Sequence, residues 1–375
     1  MATLEAGFGS AIITPPTPVQ LAGFIDDQPA TEVHDDLEVR ALFLRGEHGG
    51  VCLLVCDLLG LSPRFANPVR DAVAAALDIP RAAVLTSCIH THAGPSTLEG
   101  SHLLGWITPD GYAETLVDRC VAAALASRAA AEPATLRAGR WPLPEGLSIN
   151  RRGHRYDPTF AVVDVIGPSG TRIGTVANVS IHPVALGPEC LAVSSDWVGP
   201  FRTELERRAG GCAILLSGAI GDVNPCHVHR QDNDCGGDGF AEAEQLGHDV
   251  AQSVDAVLGE AEPLPVDGPK VVRHRVVDVT LGATLLTAGR EGRTVPVELV
   301  EWTIGPVRLV SIPGEAFHAL GRAVEARVGE GTHVLLAGLA PEWHGYLPSP
   351  FGDGYEEATS YGAGAVAAIA DALTH

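Results

Sequence analysis

The chain's 375 residues are 46% hydrophobic and 19% charged, which excludes a disordered polymer and allows a large core. A formal net charge of −21, with no block of Lys and Arg, argues against nucleic acid or an anionic membrane as a partner. No apolar run is long enough to cross a bilayer, and the start from Met1 to Gly7 has no basic region followed by an apolar run, so stable membrane insertion is not expected and the expected location is the cytoplasm.

Taken in order, residues 7–13 read as a first strand, ended by Thr14-Pro15-Pro16. A second strand follows over 37–44, where Leu37, Val39 and Ala41 alternate. The Gly49-Gly50 turn leads to 51–56, a continuous apolar run like a strand covered on both faces. A helix is predicted over 67–77, with Val69, Val73 and Ala76 on one face. A buried strand over 82–86 then runs into Ser87-Cys88-Ile89-His90-Thr91-His92-Ala93-Gly94-Pro95. If this stretch stays extended, His90 and His92 share a face, because strand side chains alternate with period two. Two adjacent imidazoles suit metal binding or proton transfer.

Beyond a helix over 109–131, Asn150-Arg151-Arg152 offers two guanidinium groups that could clamp an oxygen, or else a solvated loop. Strands over 160–166 and 175–181 lead to His182-Pro183, at a strand exit where layered α/β folds place ligands. Asp196 reads as the cap of a helix over 198–208. A strand over 212–217 enters Gly218-Ala219-Ile220-Gly221-Asp222-Val223-Asn224-Pro225, which lacks the Lys and Ser/Thr of a phosphate loop. Cys226, His227, His229 and Cys235 are four candidate ligands for a second zinc, although their spacing fits no standard pattern. The 8 cysteines are otherwise scattered, as small buried hydrophobes rather than a disulfide frame. After a helix over 240–258 come β-rich stretches over 263–280 and 305–312. Pro313-Gly314-Glu315 follows, with Glu315 opening a helix over 316–328. A last strand over 334–339 gives way to Pro341-Glu342-Trp343-His344-Gly345-Tyr346. Strands and helices interleave from end to end without a linker. The expected architecture is a layered α/β (α+β) fold, mixed β-sheets in the middle and helices outside, as a single domain over 1–375.

These motifs, in this order, resemble the catalytic N-terminal domain of the neutral (non-lysosomal) ceramidase family. The matching pieces are Gly-x-x-x-Ile-Thr-Pro near the start, His90-Thr91-His92-x-Gly94-Pro95, Ile149-Asn150-Arg151, His182-Pro183, Gly221-Asp222-x-Asn224-Pro225, Pro313-Gly314-Glu315, and the segment from Gly338 to Tyr346. No one motif is specific, whereas their conjunction spans essentially the whole chain. The resemblance implies a Zn2+ held by His90, His182, Glu315 and Tyr346. It implies a catalytic place for His92 beside the metal, Arg151 lining the site, and Tyr355 facing the substrate. Asn224 stands at the site where the family has Ser. The chain is also expected to lack the family's signal peptide and C-terminal β-sandwich, and Leu347 to Asp353 stands where the family has a Tyr-rich segment.

The implied activity is zinc-dependent hydrolysis of an amide, an N-acyl or small amide in place of ceramide itself. Imidazole and carboxylate suit zinc, which would lower the pKa of a bound water to about 7 for attack on a carbonyl carbon. His92 would then protonate the leaving nitrogen. An esterase or lactonase with the same site is the alternative, and a non-catalytic metal-binding protein a third. The expected partner is a small-molecule amide or ester, and the sequence leaves oligomeric state open.

Overall fold

The computed structural model describes residues 4–24, 29–98, 107–229, 239–266 and 268–375. Three mixed sheets occupy the middle of the fold. The first runs Val84–Cys88, Gly49–Cys56, Glu38–Gly46, Glu5–Ile12 and Glu132–Pro133. The second runs Cys212–Ser217, Arg172–Val179, Thr159–Ile166, Thr135–Pro142 and Glu262–Pro263. The third runs Pro269–Thr280, Thr294–Ile304, Val307–Ile312 and His333–Gly338.

Each sheet is antiparallel except at one edge, where its last two strands pair in parallel. Parallel neighbours need a crossover, and a helix supplies each one: Pro63–Leu77, Val198–Ala209 and His318–Val328. The three edge strands, Val84–Cys88, Cys212–Ser217 and His333–Gly338, pack against one another. Side chains stitch them together. Ser87 Oγ donates to the Gly338 carbonyl at 2.7 Å, and Ser217 Oγ to the Ile89 carbonyl at 3.0 Å. Asn178 bonds the Leu336 backbone in both directions, at 2.8 and 2.9 Å. The carboxyl ends of the three parallel pairs therefore open towards one region, where layered folds with parallel edges place ligands.

Strand alternation divides the core. In Glu38–Gly46 and Gly49–Cys56, Ala41, Phe43, Cys52 and Leu54 face the cluster under the helices Pro63–Leu77 and Tyr112–Ala129. Leu42, Leu44, Val51 and Leu53 face the other way, onto the second and third sheets. The helices Val198–Ala209 and Phe240–Val257 pack together outside the second sheet, and Ala363–Thr374 lies on Pro269–Thr280. The expected α/β layering is present. Most predicted elements are present within a few residues of their predicted bounds.

Three local expectations are corrected. The strand before the histidines spans Val84–Cys88, and Arg81–Ala83 is a 3-10 turn. His90 lies beyond that strand with φ of +78°, so no strand alternation relates it to His92. Asp196, with φ of +56°, does not cap the next helix from the N-cap position, which Trp197 holds. Its carboxylate accepts the backbone N–H groups of Ala185, Leu186 and Trp197, tying down the loop after His182. Glu315 does not open a helix. Glu315–Ala316 pairs in parallel with Tyr346–Leu347, and the helix starts at His318.

Candidate metal centre and active site

Each donor of the centre follows a strand end. His90 comes after Val84–Cys88, where the chain turns along residues 57–61, and its backbone N–H bonds the Leu58 carbonyl at 3.0 Å. That 57–61 segment is anchored by Asp57, which takes two 2.7 Å bonds from the buried Arg202 guanidinium. His182 follows Arg172–Val179, and its N–H bonds the Val223 carbonyl at 2.9 Å. Glu315 follows Val307–Ile312. Its two-residue pairing puts Glu315 directly opposite Tyr346, so the carboxylate and the phenol are side by side. All four residues are buried.

The second nitrogen of each ring fixes its chemistry. A carbonyl oxygen only accepts, so His90 Nδ1–H donates to Leu59 and His182 Nδ1–H donates to Ile220, the latter at 3.2 Å. In the neutral rings, both Nε2 atoms are then bare lone pairs. His90 Nε2 lies 3.2 Å from Glu315 Oε2, and His182 Nε2 lies 3.9 Å from the same oxygen. Glu315 Oε2 is buried and has no hydrogen-bond donor. Lone pairs that converge in a buried site call for a cation or a proton between them. With bonds of about 2.0–2.1 Å, two ligand atoms of a tetrahedral zinc stand about 3.3 Å apart, close to the separation seen between His90 and Glu315. The donor set therefore fits a zinc-like ion.

The electrostatics agree. Burial, reinforced by the neighbouring imidazoles and Arg151, holds His182 well below its usual range, and therefore neutral. Burial, His90 and Arg151 do the same to His92. Burial pushes the Glu315 carboxyl up, but positive charge at His90, with the Trp343 indole and the Tyr346 phenol, outweighs it and holds it below the usual range, so this pair takes a proton or a cation between its facing atoms. Burial, Glu315 and Tyr355 push the Tyr346 phenol well above its ordinary value, so only a cation beside it would draw off its proton.

His92 completes a group of three imidazoles whose nearest nitrogens all lie within 4.8 Å, an arrangement that could hold a metal ion. Its Nε2 stands 3.3 Å from His182 Nε2, so it competes with Tyr346 for a place in the ligand set. Its second nitrogen differs from those of the other two rings: His92 Nδ1 is buried with no partner, and no carbonyl holds it in a ligand's tautomer. The ring rests instead against Gly23 and against Phe24, whose centroid is 4.8 Å away.

Arg151 reaches the site from the side. Its guanidinium donates to the Gly221 carbonyl, pairs with Glu356 at 3.0 Å and lies 3.4 Å from the Tyr346 hydroxyl. Arg152 turns away to Glu356 and Glu357 and does not join the site. Tyr355, a residue 55% exposed, lies 3.5 Å from Tyr346, hydroxyl to hydroxyl, and lines a cavity of about 80 Å³. Leu59, Leu98, Leu285, Leu286 and Trp343 form the cavity's apolar walls, and His90, His92, Glu315 and Tyr346 its polar floor. Asn224 is not among the lining residues. It lies in Val223–Pro225, paired with Ser148–Asn150, and its buried Oδ1 has no partner. Cys226–His229 is a 3-10 turn, and Cys235, the last candidate ligand of a second zinc, lies outside the described residues.

Two features of the centre carry no signal in the sequence. Trp343 donates its indole N–H to Glu315 Oε1, and the hairpin loop bearing Leu285 and Leu286 forms a cavity wall. Both depend on contacts between residues far apart in the chain.

No protein-family model and no curated protein matches the chain. Solved structures do. The neutral ceramidase from Pseudomonas aeruginosa matches all of this chain and 74% of its own, with TM-score 0.85 and 18% identity. A ceramidase complexed with C2 matches over the same shares, with TM-score 0.84 and 17% identity. No helix among the described residues is long and apolar enough to cross a membrane. At these identities the likeness is one of backbone architecture, and on it the chain has the fold of the neutral ceramidases.

Proposed function

We propose that the protein is a zinc-dependent hydrolase that cleaves an N-acyl or small amide, with residues 1–375 working as one catalytic domain. The observation that carries this reading is that His90 Nε2 and His182 Nε2 both face the donorless Glu315 Oε2, at 3.2 and 3.9 Å, with His90 and Glu315 at the floor of an apolar cavity. The ceramidase fold supports an amide as the substrate class. Free thiols at Cys52, Cys56, Cys88, Cys120 and Cys212 support a reducing, cytoplasmic setting.

In this reading His90, His182, Glu315 and Tyr346 hold the zinc. When bound, zinc supplies Lewis acidity and lowers the pKa of a coordinated water to about 7. The protein's own groups do the rest. His92, neutral and with a nitrogen not committed to any carbonyl, takes the proton of the attacking water and delivers it to the leaving nitrogen. Arg151 and the Tyr355 hydroxyl, both within 3.5 Å of the Tyr346 hydroxyl, stabilise the charge that gathers on the carbonyl oxygen. The leucines and Trp343 enclose the acyl part and exclude water.

The test is turnover of a matched amide and ester that share one acyl group, before and after removal of metal with a chelator. The reading expects amide turnover that chelation abolishes and added zinc restores. Ester turnover alone would make the protein an esterase or lactonase, and turnover indifferent to chelation would remove zinc from the account.

A further inference from the structure

We propose that Trp343 is a positioning residue that leaves Glu315 only one oxygen to offer a metal. This rests on the reading of Glu315 as a ligand. The Trp343 Nε1–H donates to Glu315 Oε1 at 3.0 Å, with both side chains buried. The other oxygen, Oε2, has no donor and is the one that faces His90 and His182. A carboxylate unrestrained at both oxygens can turn about its last bond and chelate through the pair. One with a donor fixed on Oε1 presents Oε2 alone. An indole N–H is a donor only, so it also favours the ionised carboxylate, the form that binds metal.

The indole is itself held in place. The Trp343 backbone N–H bonds the Leu61 carbonyl at 2.7 Å. Gly60 lies under the ring, where a Cβ would come within 3.0–3.1 Å of three Trp343 atoms. The segment that orients His90 through the Leu59 carbonyl thus also seats the indole that orients Glu315. Glu342 and His344, on either side of Trp343, are engaged elsewhere. His344 Nε2–H donates to Glu342 at 3.0 Å, and the Tyr361 hydroxyl bonds His344 Nδ1 at 3.0 Å, fastening the loop to the start of the last helix.

The experiment measures zinc affinity by competition with a chromophoric chelator for the wild type, Trp343→Phe, Gly60→Ala and Glu315→Gln. Trp343→Phe keeps the apolar wall and removes the donor. It is expected to bind zinc about 10–100-fold more weakly. Its cobalt-substituted form should absorb more weakly in the visible, because a second Glu315 oxygen raises the coordination number. Gly60→Ala, which shifts the indole by a few tenths of an ångström, should move affinity the same way by less. If Trp343→Phe does not fold, Gly60→Ala carries the test. Normal zinc binding by the wild type, weakened binding in Glu315→Gln and unchanged affinity in the folded Trp343 and Gly60 variants would overturn this proposal alone. A wild type that binds no zinc, or undiminished binding by Glu315→Gln, would overturn the ligand assignment and this proposal with it.

Discussion

Replacing Gly23 by Ala sets a methyl group into the His92 ring. The new Cβ would lie 2.3 Å from His92 Cγ and Nδ1 and 2.7 Å from its Cβ. Carbon atoms in contact stand about 3.5–4.0 Å apart, so the ring must retreat by about 1 Å. Gly23 also has φ of +114°, a left-handed conformation that resists any side chain and hinders relief by moving the backbone. His90, His182, Glu315 and Tyr346 are not among the atoms that the new methyl would meet most closely. Zinc content should therefore stay at about one per chain, while His92 loses its alignment with the substrate. A misplacement of about 1 Å at a catalytic group costs on the order of a hundredfold in rate. The assay is kcat on the amide substrate alongside elemental zinc analysis of the same preparation. Wild-type turnover in Gly23→Ala would refute the reasoning, since it would mean that the position of His92 does not matter to the chemistry.

Glu298→Gln removes the charge and one of the two oxygens that accept from the fully buried Arg70 at 2.7 and 2.8 Å, and sets an amide NH2 against the guanidinium; it should cost about 3–5 kcal/mol, read as a large fall in melting temperature. Burial raises the Glu298 carboxyl, but Arg70 and Arg81 outweigh it and hold it at about 2. A depressed carboxyl stabilises the fold above its unfolded value near 4.5 and loses that contribution as pH falls towards about 2. Urea titrations should therefore show about 1–2 kcal/mol lost across that window in the wild type, after allowance for solvent screening, and less in Glu298→Gln. Leu286→Ala removes part of the cavity wall and should shift relative kcat/KM towards longer acyl groups by about tenfold, measured over an acyl-length series. An unchanged profile would place the acyl group elsewhere.

The candidate donors were legible because they sit in short motifs just past strand ends, and strand ends are visible in apolar runs closed by Gly and Pro. The run over residues 212–217, closed by Gly218, read correctly for that reason. The route from motif to geometry was less visible. His90 and His92 do converge, with ring centroids 5.1 Å apart, but through a left-handed turn at His90 rather than through strand alternation. Only the Cys56 and Leu58 carbonyls, which hold that turn, explain it. Asp196 looked like a cap because Asp before a helix usually is one. Its role depends on Ala185 and Leu186, whose N–H groups arrive from the preceding loop. Glu315 and Tyr346 looked like a helix start and a loop residue, since a two-residue parallel pairing has no periodicity to read. Asn224 entered through a motif alone, and its side chain does not line the cavity. The indole on Glu315 and the glycine behind His92 are long-range contacts, legible only once the three sheet edges are brought together.

The most direct test of the central claim is the zinc content of His90→Ala and His92→Ala, purified and assayed side by side. Both rings bring a nitrogen to the centre, but only His90 has its other nitrogen held by a backbone carbonyl, as a ligand's should be. The account predicts that His90→Ala loses its zinc and its activity. It predicts that His92→Ala keeps about one zinc per chain and loses on the order of a hundredfold or more in turnover. Loss of zinc from His92→Ala with zinc retained by His90→Ala would contradict it.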